Sequence, residues 1–265
     1  MIFRQITIFI AFSLTCLISA GCSDDYTRIH SLKATLSEAP EVHGANTSMD
    51  PHSGTFRFTG KVNTNRQNDI KKQEKYEAHS KTFYTDVTYI MGGNDFTAKT
   101  DFFYKLSGFF IGTGAGYKDG IFHHFLLGAN LQHVEFGLFF GLFHQYSDLE
   151  YKGSECKTVY HIFSDNEENC NPLEEHHYIF STSPFAGVFT GIILGNTFLN
   201  YSASVYSPSI NINDYSLNTP FIISNYFTLG YRFNRWVEMS VGSILTYVST
   251  PLWYYGFTIG ASLYL

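Results

Sequence analysis

The stretch Val134-Glu135-Phe136-Gly137-Leu138-Phe139-Phe140-Gly141-Leu142-Phe143-His144-Gln145 decides the fold. Val134, Phe136, Leu138, Phe140 and Leu142 fall on one side of an extended chain. Glu135, Gly137, Phe139, Gly141, Phe143 and Gln145 fall on the other. A period of two is the signature of a β-strand. The same logic recurs in 235–248, where Val237, Met239, Val241 and Leu245 oppose Glu238, Ser240, Gly242 and Thr246. It recurs again in 253–265, where Tyr255, Phe257, Ile259, Ala261 and Leu263 oppose Tyr254, Gly256, Thr258, Gly260 and Ser262. One face is consistently apolar, and the other is small, polar or glycine.

A soluble sandwich would also alternate, but its outer face would carry Lys, Glu and Thr. Here neither face is rich in charge, so the apolar face is expected to meet lipid. Working outward, alternating runs follow one another at 81–91, 96–105, 108–118, 120–131, 134–148, 177–192, 196–209, 219–232, 235–248 and 253–265. Their length suits a tilted membrane strand. Between 96 and 118 the apolar set shifts phase by one residue, which flips every side chain. A turn near Lys105 to Gly108 explains the shift and gives ten strands; one long bulged strand there would give eight. Pro184 lacks a ladder donor, so a bulge is expected around it.

Composition agrees. Among 265 residues there are 26 Phe, 19 Tyr and 22 Gly, and only 15% are charged, against about a quarter in soluble domains. Mean hydropathy is near zero, and past the N-terminal run no apolar stretch is long enough for a membrane helix. A formal net charge of −6 with no basic stripe beyond Lys71-Lys72-Gln73-Glu74-Lys75 argues against a nucleic-acid partner.

The first residues form a targeting segment. Arg4 supplies the positive start, Ile6 to Ala20 are uncharged and apolar, and small residues lead to Cys22. Residues 1–21 are therefore set aside as a signal peptide. Cys156 and Cys170 share one polar loop, and in an oxidising compartment they would close it with a disulfide contributing about 3 kcal/mol. The rival is a metal pair with His161, His176 and His177, whose spacing matches no standard zinc pattern. Residues 22–80 are polar and turn-rich and read as a periplasmic linker. It holds one possible strand, Thr55 to Val62, with Phe56, Phe58, Gly60 and Val62 on one side. The barrel itself is expected over 81–265.

Turn lengths orient such a barrel, because inner turns are short and outer loops long. Counting back from Leu265, connections 249–252, 210–218 and 149–176 group at one end, while 233–234, 193–195 and 132–133 group at the other. That places the long loops outside and the N-terminus in the periplasm.

Phrases such as Leu229-Gly230-Tyr231-Arg232-Phe233-Asn234-Arg235-Trp236, reading strand, tight turn, strand, resemble the periplasmic hairpins of small Gram-negative outer-membrane barrels. The ending Gly260-Ala261-Ser262-Leu263-Tyr264-Leu265 is similar to the C-terminal strand read by the barrel-assembly machinery of that class. Ile18-Ser19-Ala20-Gly21-Cys22 resembles a lipoprotein box, whose cysteine would be acylated; an ordinary cleavage near Ala20 is the other reading. The resemblance implies an all-β, antiparallel, up-and-down transmembrane barrel in contact with membrane lipids, located in the bacterial outer membrane.

The inward set holds scattered ionisable residues: Asp86, Lys99, Asp101, Lys105, His124, Glu135, Arg232 and Glu238. A barrel of this size has little lumen left once its side chains are placed, so opposite charges are expected to pair; a narrow pore is the alternative. His124, with Asp101 or Glu135 to orient it, is the best candidate for a lipid-modifying or proteolytic centre, yet no His-Ser or Asp-His element accompanies it. Loop 149–176 carries seven acidic residues, among them Asp165, Glu167 and Glu168 as a weak Ca²⁺ possibility. It reads instead as a solvated loop and the candidate contact for an extracellular partner. No cofactor and no metal is expected. The function expected is structural or partner-binding and non-enzymatic, with a small pore for ions or polar solutes as the alternative.

Overall fold

The computed structural model describes residues 23–46, 50–78, 81–131, 133–159, 167–212, 215–217, 219–249 and 252–265. Residues 1–21, expected to be a signal peptide, and Cys22 lie outside them. Every regular element among the described residues is a strand. They are β1 (Ser23–Leu36), β2 (Gly54–Asn65), β3 (Asn68–Ala78), β4 (Lys81–Met91), β5 (Asn94–Lys105), β6 (Phe109–Tyr117), β7 (Gly120–Leu131) and β8 (Val134–Val159). There follow β9 (Glu167–Leu194), β10 (Thr197–Tyr206), the short pair β11 (Ile210–Ile212) and β12 (Tyr215–Leu217), β13 (Ile222–Arg232), β14 (Val237–Val248) and β15 (Leu252–Tyr264).

Ten of these close a ring in the order β8-β7-β6-β5-β2-β15-β14-β13-β10-β9, and β9 pairs back with β8. The fold is a closed, antiparallel β-barrel. The registers follow the alternation: Val237 sits opposite Leu263, Ile259 opposite Val62 and Phe58 opposite Thr100. The outward positions of the paired ring, from Phe56 on β2 to Leu263 on β15, carry no Asp, Glu, Lys or Arg. Leu138, Phe140, Phe257 and Ile259 are each more than half exposed, at 61%, 64%, 63% and 63%. An uncharged apolar surface running right round a molecule far exceeds the patches that water tolerates, and it is what a lipid-facing wall requires.

The count of ten matches the sequence reading, but the tenth strand differs. The ring takes Gly54–Asn65, which pairs with both β15 and β5, in place of Lys81–Met91. The reason lies in the side chains. β2 is apolar outward and polar inward, with Arg57, Thr59, Lys61 and Asn63 buried. β4 instead buries its apolar face, Phe83, Val87, Tyr89 and Met91, and leaves Asp86 exposed. The phase slip at 105–108 is a true turn between β5 and β6, whose pairing starts at Lys105 and Phe110. Pro184 stands just outside the β9–β10 ladder, which begins one residue later at Phe185.

The described chain divides into two compact units. The barrel unit comprises 33–72, 88–149 and 177–265. The other comprises the chain up to 32, with 73–87 and 150–176. Its strands lie in the order β3-β4-β1-β8, so the polar loop expected at 149–176 is largely a continuation of β8 and β9. Cys156 and Cys170 are joined there in a disulfide. Tyr26 donates a hydrogen bond to Glu168, Tyr151 to Glu175, and Thr85 Oγ1 to the Ile29 carbonyl at 2.7 Å. His161 and Asp165 fall outside the described residues. The metal-ligating group found here among the described residues is Cys156, Glu168 and Cys170, and its two sulfurs are already bonded to each other.

Candidate functional site: a lumen filled by its own chain

The barrel interior has two unlike halves. On β6 to β9 the inward side chains are mostly Phe and Gly. Phe110, Phe122, Phe139, Phe143, Phe185 and Phe189 are all buried, and their rings meet at 6.0 Å (Phe110 and Phe189), 6.1 Å (Phe139 and Phe185) and 6.3 Å (Phe122 and Phe185). The glycines make room for them. A Cβ on Gly137 would stand 2.6 Å from the Phe189 ring, and one on Gly141 2.6 Å from Phe185. This half is a dry aromatic core.

From β10 round through β15 and β2 to β5 the wall is polar, and against it lies Ser37-Glu38-Ala39-Pro40-Glu41-Val42-His43-Gly44-Ala45-Asn46. All ten residues are buried although they form neither helix nor strand. An extended backbone in a water-poor interior must find partners for its carbonyls. Here wall side chains supply them. Tyr206 donates to Ser37 O, Tyr226 Oη to Ala39 O at 2.5 Å, Ser204 to Pro40 O at 2.5 Å and Lys99 to Glu41 O at 3.2 Å. Ser202 donates to Val42 O at 2.6 Å, Arg57 to His43 O and Gly44 O at 3.2 and 2.5 Å, Tyr264 to Ala45 O at 3.1 Å and Arg232 to Asn46 O at 3.0 Å. Nine of the ten carbonyls thereby accept from wall side chains.

The two acidic side chains of the segment meet wall lysines. Lys61 Nζ lies 2.8 Å from both carboxylate oxygens of Glu41. Lys118 Nζ lies 2.7 Å from Glu38, whose other oxygen accepts from Asn65 at 2.6 Å. At the far end of the segment the Asn46 amide donates to Glu135 at 3.2 Å, and Asn46 itself turns with φ of 57°, a backbone conformation that Asn tolerates better than most residues.

The segment runs the length of the barrel. Tyr206, which holds Ser37, is opposite Ile222, and Ile222 is opposite Val248, at the end bearing connections 207–221 and 249–251. Arg232, which holds Asn46, is opposite Glu238, beside the short turns 195–196 and 233–236. Leu265 exchanges backbone bonds with Phe56 at that same end. Ser37 and Leu265 therefore lie at opposite ends of the barrel. A periplasmic N-terminal segment and extracellular long loops cannot both hold.

Among the residues singled out from sequence, Lys99, Asp101, Lys105, His124, Glu135 and Glu238 are buried inside, and Arg232 is largely so. Asp101 accepts from Arg57 at 2.6 and 3.1 Å and lies 3.7 Å from Lys99. His124 Nε2 is 3.4 Å from Asp101, while Glu135 serves Asn46 instead. Lys105 donates to Asn130 at 3.3 Å, and Glu238 accepts from Tyr264 at 2.7 Å with Arg232 3.5 Å away. Asp86 is a correction: it is exposed on β4, accepting from Gln73 at 3.3 Å, because that strand is outside the ring. Sequence reasoning missed Arg57, Lys61, Lys118, Glu38 and Glu41. One signal was available: the six inward cations, Arg57, Lys61, Lys99, Lys105, Lys118 and Arg232, outnumber the four wall carboxylates, Asp95, Asp101, Glu135 and Glu238.

No family model matches the chain, and no curated protein matches it. Several solved structures do. An outer membrane channel from Pseudomonas putida F1 aligns with TM-score 0.44 and 9% identity, over 85% of this chain and 100% of that one. The outer membrane protease OmpT from Escherichia coli aligns with TM-score 0.38 and 10% identity, over 83% and 99%. The translocator domain of the autotransporter NalP from Neisseria meningitidis aligns with TM-score 0.34 and 7% identity, over 78% and 88%. At these scores the likenesses add nothing about role, and the barrel is read from its own ring of strands.

Proposed function

We propose that this protein is a non-conducting, non-enzymatic barrel of the bacterial outer membrane, which acts by holding a partner-binding surface at its long-connection end. The observation that carries this reading is the filled lumen. Half of the interior is aromatic core and residues 37–46 lie against the other half, which supports a lumen closed to solutes. A catalytic reading gains no support, since His124 is completely buried and its neighbour is the carboxylate of Asp101 rather than a nucleophile.

The uncharged outer wall supports contact with membrane lipids, and the short turns support insertion with the long connections outward. The chain is then a substrate of the barrel-assembly machinery. The disulfide-bearing hairpin around Cys156 and Cys170 is the candidate external contact. The deciding experiment is conductance of the purified, heat-modifiable protein in planar bilayers. Silent membranes are expected, and stable ohmic steps from the intact chain would overturn the reading.

A further inference from the structure

We infer that residues 37–46 are a transmembrane crossing of their own, made inside the barrel, so that the protein displays the chain preceding Ser37 at the cell surface. This rests on the outer-membrane reading above. The segment covers nine residue steps, which at full extension reach at most about 30 Å. That is enough to cross the hydrocarbon thickness of a bilayer. It enters at the long-connection end beside Tyr206 and leaves at the short-turn end beside Arg232 and Glu135. After Asn46 the described chain resumes at Asp50 and continues into β2.

The segment is therefore a thread and not a stopper. Both its ends are tethered, one to β1 and the other to β2, so it cannot drop out of either mouth. Nor does it demand that a free end be pushed through a closed pore. Arg57, Lys61 and Asn65 of β2 each bond to it, so it lies as an inner limb beside β2. A tail laid against that inner face is enclosed when β2 meets β15 and the ring closes. The register is set by chemistry at both levels, with Glu38 on Lys118 and Asn65 near the entrance and Glu41 on Lys61 deeper in. The carbonyl donors between them come from five different strands, so the wall as a whole recognises this one stretch. What the arrangement achieves is presentation: the N-terminal chain is carried to the side where the long connections are.

The test uses the full chain in the outer membrane of intact cells. Thr35→Cys places a thiol at an exposed position just before the crossing, and Asp50→Cys places one just after it. A membrane-impermeant maleimide is applied with and without permeabilising the outer membrane, and the unaltered chain serves as the blank. Thr35→Cys is expected to label equally in both conditions, whereas labelling of Asp50→Cys rises several-fold on permeabilisation. The reverse pattern overturns the inference, as does protection of both. Occupancy of the lumen is tested separately by oxidising the pair Ala39→Cys and Ser224→Cys, which replaces a direct bond of 3.2 Å. A mapped cross-link is expected. Its absence here and in the pair Val42→Cys and Ser202→Cys would remove the thread itself, whatever the bilayer recordings gave.

Discussion

The two halves of the lumen solve one problem in opposite ways. On β6 to β9 the space is filled by phenylalanines that the ring strands themselves contribute, and glycines on neighbouring strands make the room. From β10 round to β5 the wall keeps Ser, Thr, Tyr, Lys and Arg, and a separate piece of chain completes it. The aromatic half is specified by volume, since each ring must find a glycine opposite. The threaded half is specified by pairing, since each buried polar group must find its counterpart. Substitutions should therefore fail for different reasons on the two sides.

The largest effect belongs to the aromatic half. Gly141→Leu would drive a side chain into Phe185 and against the His123 carbonyl, and no heat-modifiable barrel is expected on unheated gels. Gly60→Leu adds the same bulk to an outward position of β2, whose nearest neighbour is the Phe96 ring at 3.8 Å, and it should assemble normally. If Gly141→Leu assembled as well, close packing would not be what shapes that half.

Next comes the centre of the threaded half. Arg57 is wholly buried and bonds to Asp101 and to two thread carbonyls. Arg57→Met leaves Asp101 and those carbonyls short of partners, and should cost about 3–5 kcal/mol in urea unfolding of the folded barrel. Adding Asp101→Leu should restore part of that loss, as removing both charges of a buried pair does. Glu41→Gln comes third, at about 1–3 kcal/mol, because it leaves Lys61 without its counter-charge. Combining it with Lys61→Met should return most of the loss. A double variant that only adds the two losses would mean the pair is not coupled, and the thread would not be held by charge.

The difference between the halves also explains what could be read in advance. The aromatic half is written locally. Phe139, Gly141 and Phe143 alternate along one strand, and period two alone reveals their face. The turn at 105–108 was legible for the same reason, because Phe102 and Phe109 fall out of phase. The thread has no such text. Ser37 to Asn46 shows neither period, because its carbonyl donors sit on β2, β5, β10, β13 and β15 and further partners on β8 and the β6–β7 turn, none of them a sequence neighbour. Lying in a polar, turn-rich stretch, it read as part of a linker, although its small residues are what allow a chain to pass beside Arg57 and Glu135. A Cβ on Gly44 would stand 2.5 Å from the Glu135 carboxylate. The strand at 54–65 was legible as a strand. Its membership in the ring was not, since that depends on where the chain arrives after crossing the lumen.

The smallest effect separates a thread from a loosely lodged tail. Ser204→Ala removes one hydroxyl and leaves the Pro40 carbonyl without its donor, which should cost about 1 kcal/mol. Ser202→Ala does the same for Val42 two residues along. If residues 37–46 are held as one unit, the double variant should lose about the sum of the two in urea, because the remaining bonds keep the backbone in place. A tail that peels away piecemeal would behave otherwise. The first lost bond would free its neighbours, and the second substitution would then cost nothing further. The same pair reads the thread in a second way: additive losses with silent bilayers mean a weakened but occupied lumen, whereas a vanishing second loss together with new conductance would mean that the polar half empties while the aromatic half stands.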